Sequence, residues 1–207
     1  MKEFNEELYN DVMLKYRFAL DVLETNMKIL INEHEYKYNE NIVDHIKVRL
    51  KSKTSSMKKL EQKGYDITVN NLVKHVHDIV GLRIVCSFLP DVYKVVDIIK
   101  RSELFVIKSE KDYISNPKDT GYISYHLIVL VPVPLKDGIE YIEAEIQIRT
   151  MAMDFWASLD HKLQYKFEGT IPDEVKYEMY KCSVDIKSID DKMTSLKSFV
   201  DNYLKDE

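Results

Sequence analysis

Cysteine is nearly missing from this chain. Only Cys86 and Cys182 occur among 207 residues, far apart and without the spacing of metal ligands. That argues against a disulfide framework and against a cysteine metal site. Both stand at apolar positions, one in a strand-like run and one in a helical run, as expected of free core thiols in a reducing cytoplasm. Long apolar runs are missing too: none approaches the ~20 residues that a membrane-spanning helix needs. The first seven residues are acidic and lack the apolar core of a signal peptide, so a cytoplasmic location is expected. Positive charge is not in excess. Thirty Lys and Arg against 35 Asp and Glu leave a net charge of −5, which argues against bulk nucleic-acid binding but allows a local basic pocket. There are no internal repeats and no low-complexity tract, and no glycine or proline interrupts residues 3–38.

What is present reads as a soluble globular protein, 45% hydrophobic and 31% charged, long enough for one domain with a core and helical extensions. Residues 3–38 are expected to be helical, with Phe4, Leu8, Val12, Ala19, Leu23 and Leu30 as the apolar stripe. Ile46, Val48 and Leu50 alternate with Lys47, Arg49 and Lys51 as in a short strand, and Ser52 can cap a helix over 53–63. A short helix over 68–76 leads to a buried strand, Ile79 to Val85, rich in β-branched residues. A helix from Pro90 to about Ser102 and a strand from Leu104 to Lys108 follow. After a loop over 111–121 comes a strand over 122–131, ended by Pro132 and Pro134, and then a hairpin at Asp137-Gly138. The clearest strand is Ile139 to Arg149: Ile142, Ala144, Ile146 and Ile148 face one way, Glu143, Glu145, Gln147 and Arg149 the other. Thr150 can cap a helix to about Phe167, broken by Gly169 and Pro172. The closing helix spaces Val175, Met179, Cys182, Ile186, Ile189, Met193, Leu196, Val200 and Tyr203 as a heptad seam, which must pack on another helix, in the same subunit or a neighbour. The expected fold is therefore α/β (α+β): a mixed β-sheet of about five strands flanked by helices, with helical N- and C-terminal extensions. One domain over 1–207 is expected, with N-terminal helices in 1–44, a catalytic core in 45–167 and a C-terminal helix in 173–205.

Two stretches carry chemistry. In the first, Arg49, Lys51, Ser55 and Lys59 can converge from a strand end and the first turns of a helix. Cations, a hydroxyl and free helix N–H groups suit phosphate, though a lysine-rich solvated face has the same pattern. In the second, Gly121 permits an unusual backbone angle, and Tyr122, Ser124 and His126 then share one strand face, with Lys111 and Lys118 on the loop above. An aromatic plate, a hydroxyl, an imidazole and two cations suit a nucleotide; a surface loop entering a strand with a satisfied histidine is the plainer alternative. Between them, Arg83 lies inside an apolar run and needs an anionic partner, protein or ligand. Alternation alone leaves Glu145 undecided between a site and solvent.

Taken in order, four motifs resemble the synthetase domain of the alarmone synthetases, the enzymes that make (p)ppGpp in the stringent response. They are Arg49-x-Lys51 with Ser55 and Lys59; His77-Asp78-Ile79-x-Gly81-x-Arg83; Tyr113-Ile114-x-x-Pro117-Lys118-x-x-Gly121-Tyr122-x-Ser124-x-His126; and Glu145-Ile146-Gln147-Ile148-Arg149-Thr150 followed by Trp156-Ala157 and His161. They cover roughly residues 45–165, and the chain length is similar to that of the small alarmone synthetases of the RelA/SpoT family. The resemblance implies a nucleotidyltransferase-like fold and transfer of the β,γ-pyrophosphate of ATP to the 3′-hydroxyl of a guanosine nucleotide, GDP or GTP, with GMP as a further candidate. It implies Mg²⁺ held by Asp78 and Glu145, with Glu145 also activating or orienting the hydroxyl. It implies ATP at Arg49, Lys51, Ser55, Lys59 and Arg83, and the guanosine nucleotide at Lys111, Lys118, Tyr122, Ser124, His126 and Gln147. It further implies a homotetramer. Asp154 stands where the small members are expected to carry Asn.

Three rivals fit less well. A transferase of the same fold that moves a nucleotide would show a Gly-Ser pair followed by paired aspartates, a pattern not found. A silent nucleotide sensor would have lost a metal carboxylate, yet Asp78 and Glu145 are both present. A phosphohydrolase built on His77-Asp78 would need further His and Asp ligands, and His34, His45 and His75 form no such pattern.

Overall fold

The computed structural model describes residues 4–167 and 171–203. Gly169, expected to break a helix, lies outside them. The chain opens with α1 (Glu6–Tyr38), capped by Asn5, whose side chain accepts from the Leu8 N–H at 2.9 Å, and closed by Asn39 in the left-handed region at φ 51°. Its buried stripe is Tyr16, Ala19, Leu23, Met27 and Ile31; of the expected stripe Ala19 and Leu23 are fully buried, Val12 and Leu30 are partly buried against the core, and Leu8 is exposed.

Then come β1 (Val43–Leu50), α2 (Lys53–Gln62), α3 (Val69–His75), β2 (Val80–Cys86), α4 (Leu89–Arg101), β3 (Val106–Asp112), β4 (Tyr125–Leu135), β5 (Gly138–Thr150), α5 (Met151–Lys166) and α6 (Asp173–Tyr203). The five strands form one sheet in the order β1-β2-β5-β4-β3. Only the β2–β5 pair is parallel. One sheet face, with Leu82, Ile84, Ala144, Ile146, Ile148, Leu127 and Val129, is buried, and α1 and α4 pack on the sheet. Those apolar side chains supply the core, and alternation sends every second residue to the opposite, polar face. Among the described residues no helix is long and apolar enough to cross a membrane.

Several strand ends differ from expectation: β4 begins at Tyr125, not at 122, so Tyr122 and Ser124 precede the strand instead of opening its face. β4 runs through Pro132 and Pro134 to Leu135. Its pairing with β3 stops at Val106↔Leu130, so beyond that point its outer side is an edge, where a missing N–H breaks no ladder bond. β3 extends to Asp112 and takes in Lys111, expected in a loop. Its Ser109-Glu110-Lys111-Asp112 end is an exposed edge with no apolar alternation to mark it.

Within the chain, α6 packs through only part of its expected seam, with Val175, Met179 and Ile186 half-buried. The residues turned inward include Ser183 and Asp190, both buried. Cys182, Ile189, Met193, Leu196, Val200 and Tyr203 are exposed, so Cys182 is not a core thiol while Cys86 is. Polar anchors replace apolar ones here: Thr150 Oγ1 donates to Asp190 Oδ2 at 2.6 Å, and Lys197 Nζ donates to Asp91 Oδ1 at 3.2 Å. Thr150 also accepts from the Met153 N–H at 3.1 Å, capping α5 as its sequence position suggests.

Candidate active site

Strand register assembles the polar face. One row across the sheet runs Lys47↔Arg83↔Gln147↔His126↔Lys111, and the next runs Arg49↔Gly81↔Glu145↔Ile128↔Ser109. Residues separated by up to 64 positions thus stand one strand spacing apart. Gly81 has a local reason: a Cβ there would sit 3.4 Å from Arg49 Cγ, so the arginine stem lies directly over it.

Asp78, at the entrance to β2, is an ion-paired carboxylate. Lys51 Nζ donates to its Oδ2 at 3.0 Å, and Lys59 Nζ lies 2.9 Å from Oδ1. The Ser52 hydroxyl, accepting from the Ser55 N–H at 3.2 Å, starts the α2 helix that presents Lys59. Burial alone would raise the Asp78 pKa, but the two ammonium groups outweigh it and hold it below the ordinary value.

Glu145 is pinned at both oxygens. His126 Nδ1 lies 3.1 Å from Oε1, and Gln147 Nε2 donates to Oε2 at 2.7 Å. Here too burial pushes the pKa up, while the His126 and Gln147 contacts bring it down on balance, so the group is ionised at neutral pH. The other His126 nitrogen, Nε2, is 2.8 Å from the Tyr122 hydroxyl, which in turn accepts from Arg149. One neutral tautomer satisfies the whole chain: arginine donates to tyrosine, tyrosine to Nε2, and Nδ1–H to Glu145.

Arg149 is the centre of this side. It is 3% exposed and donates to Ser124 Oγ at 3.1 Å, Asp154 Oδ1 at 3.2 Å, Gln147 Oε1 at 2.9 Å and the Tyr122 hydroxyl. Arg83 reaches the same Asp154 oxygen at 2.9 Å, but its Nε is buried with no partner among the described residues. Burial, and then the neighbouring Arg149 charge, lower the Arg83 pKa.

Three cavities adjoin these groups. One of about 250 Å³ is lined by Lys47, Arg49, Gly81, Arg83, Glu145 and Gln147. A second, about 290 Å³, holds Lys59, Asp78, Lys111, Tyr113, Lys118, His126 and Glu145. A third, about 560 Å³, brings Arg49, Lys51, Ser55 and Arg83 together with Tyr122, Gln147, Arg149 and Ala157. Twelve of the thirteen residues picked out from the sequence therefore line one continuous region. Ser124 does not: it is fully buried and serves Arg149. The two sets share cavities: Lys59 lines one with Lys111 and Lys118, and Tyr122 lines another with Arg49. Lys118 Nζ sits 4.7 Å from the Tyr113 ring centre and 4.8 Å from that of Tyr122.

Sequence reasoning missed Arg149, Asp154, Tyr113 and Lys47 as site residues. Arg149 and Lys47 had a signal, since each alternates in phase with a residue that was chosen. Asp154 and Tyr113 had none beyond their place in a motif.

Comparison with known proteins agrees with this geometry. Residues 48–170 match the model of a region found in RelA / SpoT proteins. The chain is 43% identical over 201 residues to the GTP pyrophosphokinase YwaC of Bacillus subtilis, covering 97% of this chain and 95% of that protein. It superposes on the crystal structure of small alarmone synthetase 2 from Bacillus subtilis with a TM-score of 0.83 at 42% identity, covering 92% of this chain and 98% of the other. Small alarmone synthetase 1 of the same organism, bound to its product pppGpp, superposes with a TM-score of 0.87 at 31% identity, covering 94% and 99%.

Proposed function

The chain belongs to the RelA/SpoT family, as a small alarmone synthetase, and we propose that its reaction takes place on the polar sheet face with Glu145 between the two nucleotides. The enzyme is a GTP pyrophosphokinase. It transfers the β,γ-pyrophosphate of ATP to the 3′-hydroxyl of GDP or GTP, making (p)ppGpp. The observation that carries the proposed site is that Glu145 lines both the cavity of Arg49 and Arg83 and the cavity of Asp78, Lys118 and His126.

In this reading ATP lies along β1, β2 and the start of α2. Arg49, Lys51, Ser55, Lys59 and Arg83 take its phosphates and base, and the unpartnered Arg83 Nε is aimed at an anionic ligand. The guanosine nucleotide lies by β3 and β4, stacked on Tyr122, with Lys111 and Lys118 toward its phosphates. Lys118, held only by two rings among the described residues, can move to a phosphate when a base takes its place. Gln147 and His126 fix the Glu145 carboxylate, and Ser124 acts through Arg149. Glu145, ionised and held below its ordinary pKa, orients and polarises the 3′-hydroxyl rather than storing its proton.

The donor set fits Mg²⁺. Two ionised carboxylates, Asp78 and Glu145, face one cavity, and no group of three or more His, Cys, Asp or Glu placed for a metal occurs among the described residues. One or two carboxylates, with phosphates and water completing the shell, is the usual Mg²⁺ arrangement. When bound, the ion supplies charge to offset the triphosphate in the transition state. Lys51 and Lys59 keep Asp78 ionised and in place, and contribute their own charge to the phosphates.

We also place a homo-oligomer, a tetramer, in this reading, built on the exposed apolar residues of α1 and α6. Light scattering at micromolar concentration checks it, a monomer mass counting against it. The activity itself is tested by incubating the purified chain with ATP, Mg²⁺ and GMP, GDP or GTP in turn and separating the products. A 3′-pyrophosphorylated product is expected with GDP and GTP. Its absence with every acceptor would refute the reading.

A further inference from the structure

The loop that carries Tyr122 is seated on the C-terminal helix. Gly121 is buried, with φ at +84°. A Cβ built there would lie 2.2 Å from Ser183 Oγ, 2.8 Å from Ser183 Cβ and 3.4 Å from Tyr180 Cα. The loop backbone and α6 therefore touch with no room for a methyl group. Glycine is needed twice over, for its dihedral and for this approach. Ser183 is 3% exposed, and its hydroxyl donates to Tyr180 O at 2.7 Å, so its side chain is turned back on its own helix and held in one orientation.

The junction is rigid on both sides. Ile123, Met153, Trp156 and Ile186 surround the contact, and Trp156 Nε1 donates to Met179 O at 3.0 Å, tying α5 to the same turn of α6. On the loop side, Gly121 N–H donates to Lys118 O at 2.8 Å, Lys118 N–H to Tyr122 O at 3.2 Å and Tyr113 N–H to Ser124 O at 3.0 Å. A loop cross-tied in this way passes a displacement on rather than absorbing it. The residue next to the contact is Tyr122.

We propose that Ser183 is a positioning residue for the guanosine nucleotide: by abutting Gly121 it sets where the Tyr122 ring stands. The inference rests on the reading above that Tyr122 stacks on the guanine. Ser183 lines none of the three cavities. It acts only through the small size of what it presents to Gly121, so volume at position 183, not the hydroxyl, is the controlling property.

Steady-state kinetics for each substrate, with the emission of Trp156, the one tryptophan in the chain, test this. Ser183→Val adds bulk at the contact and should raise the guanosine nucleotide KM about tenfold, since misplacements of an ångström are costly at a reacting centre. The ATP KM should stay within about twofold, and Trp156 emission should match the parent, showing α6 docked. Ser183→Ala keeps the volume small and should match the parent in both constants. Gly121→Ala should raise the guanosine KM, and adding Ser183→Gly should recover part of the loss, because the two nearest atoms of the clash are gone. That rescue stands even where Ser183→Val fails to fold. Equal rises in both KM values, or no rescue in the double variant, overturn the proposal. Tyr122→Ala run alongside separates the layers. If it raises the guanosine KM while Ser183→Val and the rescue pair do not, the proposal fails and the Tyr122 reading survives; if it leaves that KM unchanged, both fall.

Discussion

The two halves of the polar face differ in how completely their charges are satisfied. On β4 and β5, Arg149 has four partners, Glu145 is held at both oxygens and His126 uses both ring nitrogens. On β1 and β2, Arg83 has one carboxylate, shared with Arg149, and a buried Nε with no partner. Arg49 and Lys47 have no carboxylate partner among the described residues. A group whose bonds are all made inside the protein is scaffold; a cation left short of partners in a cavity is poised for an anion. The first half is preorganised around one carboxylate, and the second is left positive for a polyphosphate. In the proposed reading, positioning and charge stabilisation, the two needs of phosphoryl transfer, divide between strands.

The largest effect expected is on turnover. Glu145→Gln and Asp78→Asn each remove one charge with almost no change in volume, and each should lower kcat by about a thousandfold, the upper range for a single electrostatic group. Circular dichroism should show the fold intact. Near-normal turnover in either variant would remove that carboxylate from the site.

The arginines should then separate the halves. Arg149→Met leaves Asp154 to Arg83 alone and strips Ser124, Gln147 and Tyr122 of a donor, so thermal or urea unfolding should register a loss of about 3 kcal/mol, as for other buried pairs broken on one side. Arg83→Met should cost far less stability and should raise the ATP KM instead. The reverse result would mean that the open half is the structural one.

Next comes Tyr122. Base–aromatic stacking is worth about 1–3 kcal/mol, so Tyr122→Ala should raise the guanosine nucleotide Kd roughly ten- to hundredfold with little change for ATP. Tyr122→Phe keeps the stacking face and loses the hydroxyl between Arg149 and His126, so it should bind nearly normally yet turn over more slowly. A larger rise for ATP than for guanosine nucleotide would show the two pockets reversed.

The smallest effect is on the acid limb of stability. Asp78 and Glu145 both have folded-state pKa values below their ordinary 3.8 and 4.5. Their contribution is present above those unfolded values and is lost as pH falls through the lower folded ones, because the unfolded chain then binds protons more readily. Melting temperatures of Asp78→Asn/Glu145→Gln should fall less steeply below pH 4.5 than those of the parent. Parallel curves would mean that neither pairing stabilises the fold.

Legibility followed the same division. β5 was readable because its two faces differ, and period-two alternation placed Glu145, Gln147 and Arg149 together without knowledge of any partner strand. It could not say that Arg149 is buried. A long cationic side chain looks solvent-exposed until Ser124, Asp154, Gln147 and Tyr122 surround it, and those contacts span 2 to 27 positions of sequence. The polar end of β3 was read as loop because an exposed edge needs no apolar residues. Part of the α6 seam, Val175, Met179 and Ile186, is half-buried within the chain, while Asp190 and Lys197 dock the helix through a hydrogen bond and an ion pair, which hydrophobic periodicity cannot register.

Local chemistry thus determined the helices, the Ser52 and Thr150 caps, the two sides of β1 and β5, and the residue types available for a nucleotide. What only the tertiary structure decided is adjacency. Placing β2 parallel to β5, with Gly81 beside Glu145 and Arg83 beside Gln147, joins segments more than 60 residues apart. The physical reason is that caps and alternation act within a few residues. Register and helix docking depend on which buried faces fit together, and they turn separate polar residues into one site.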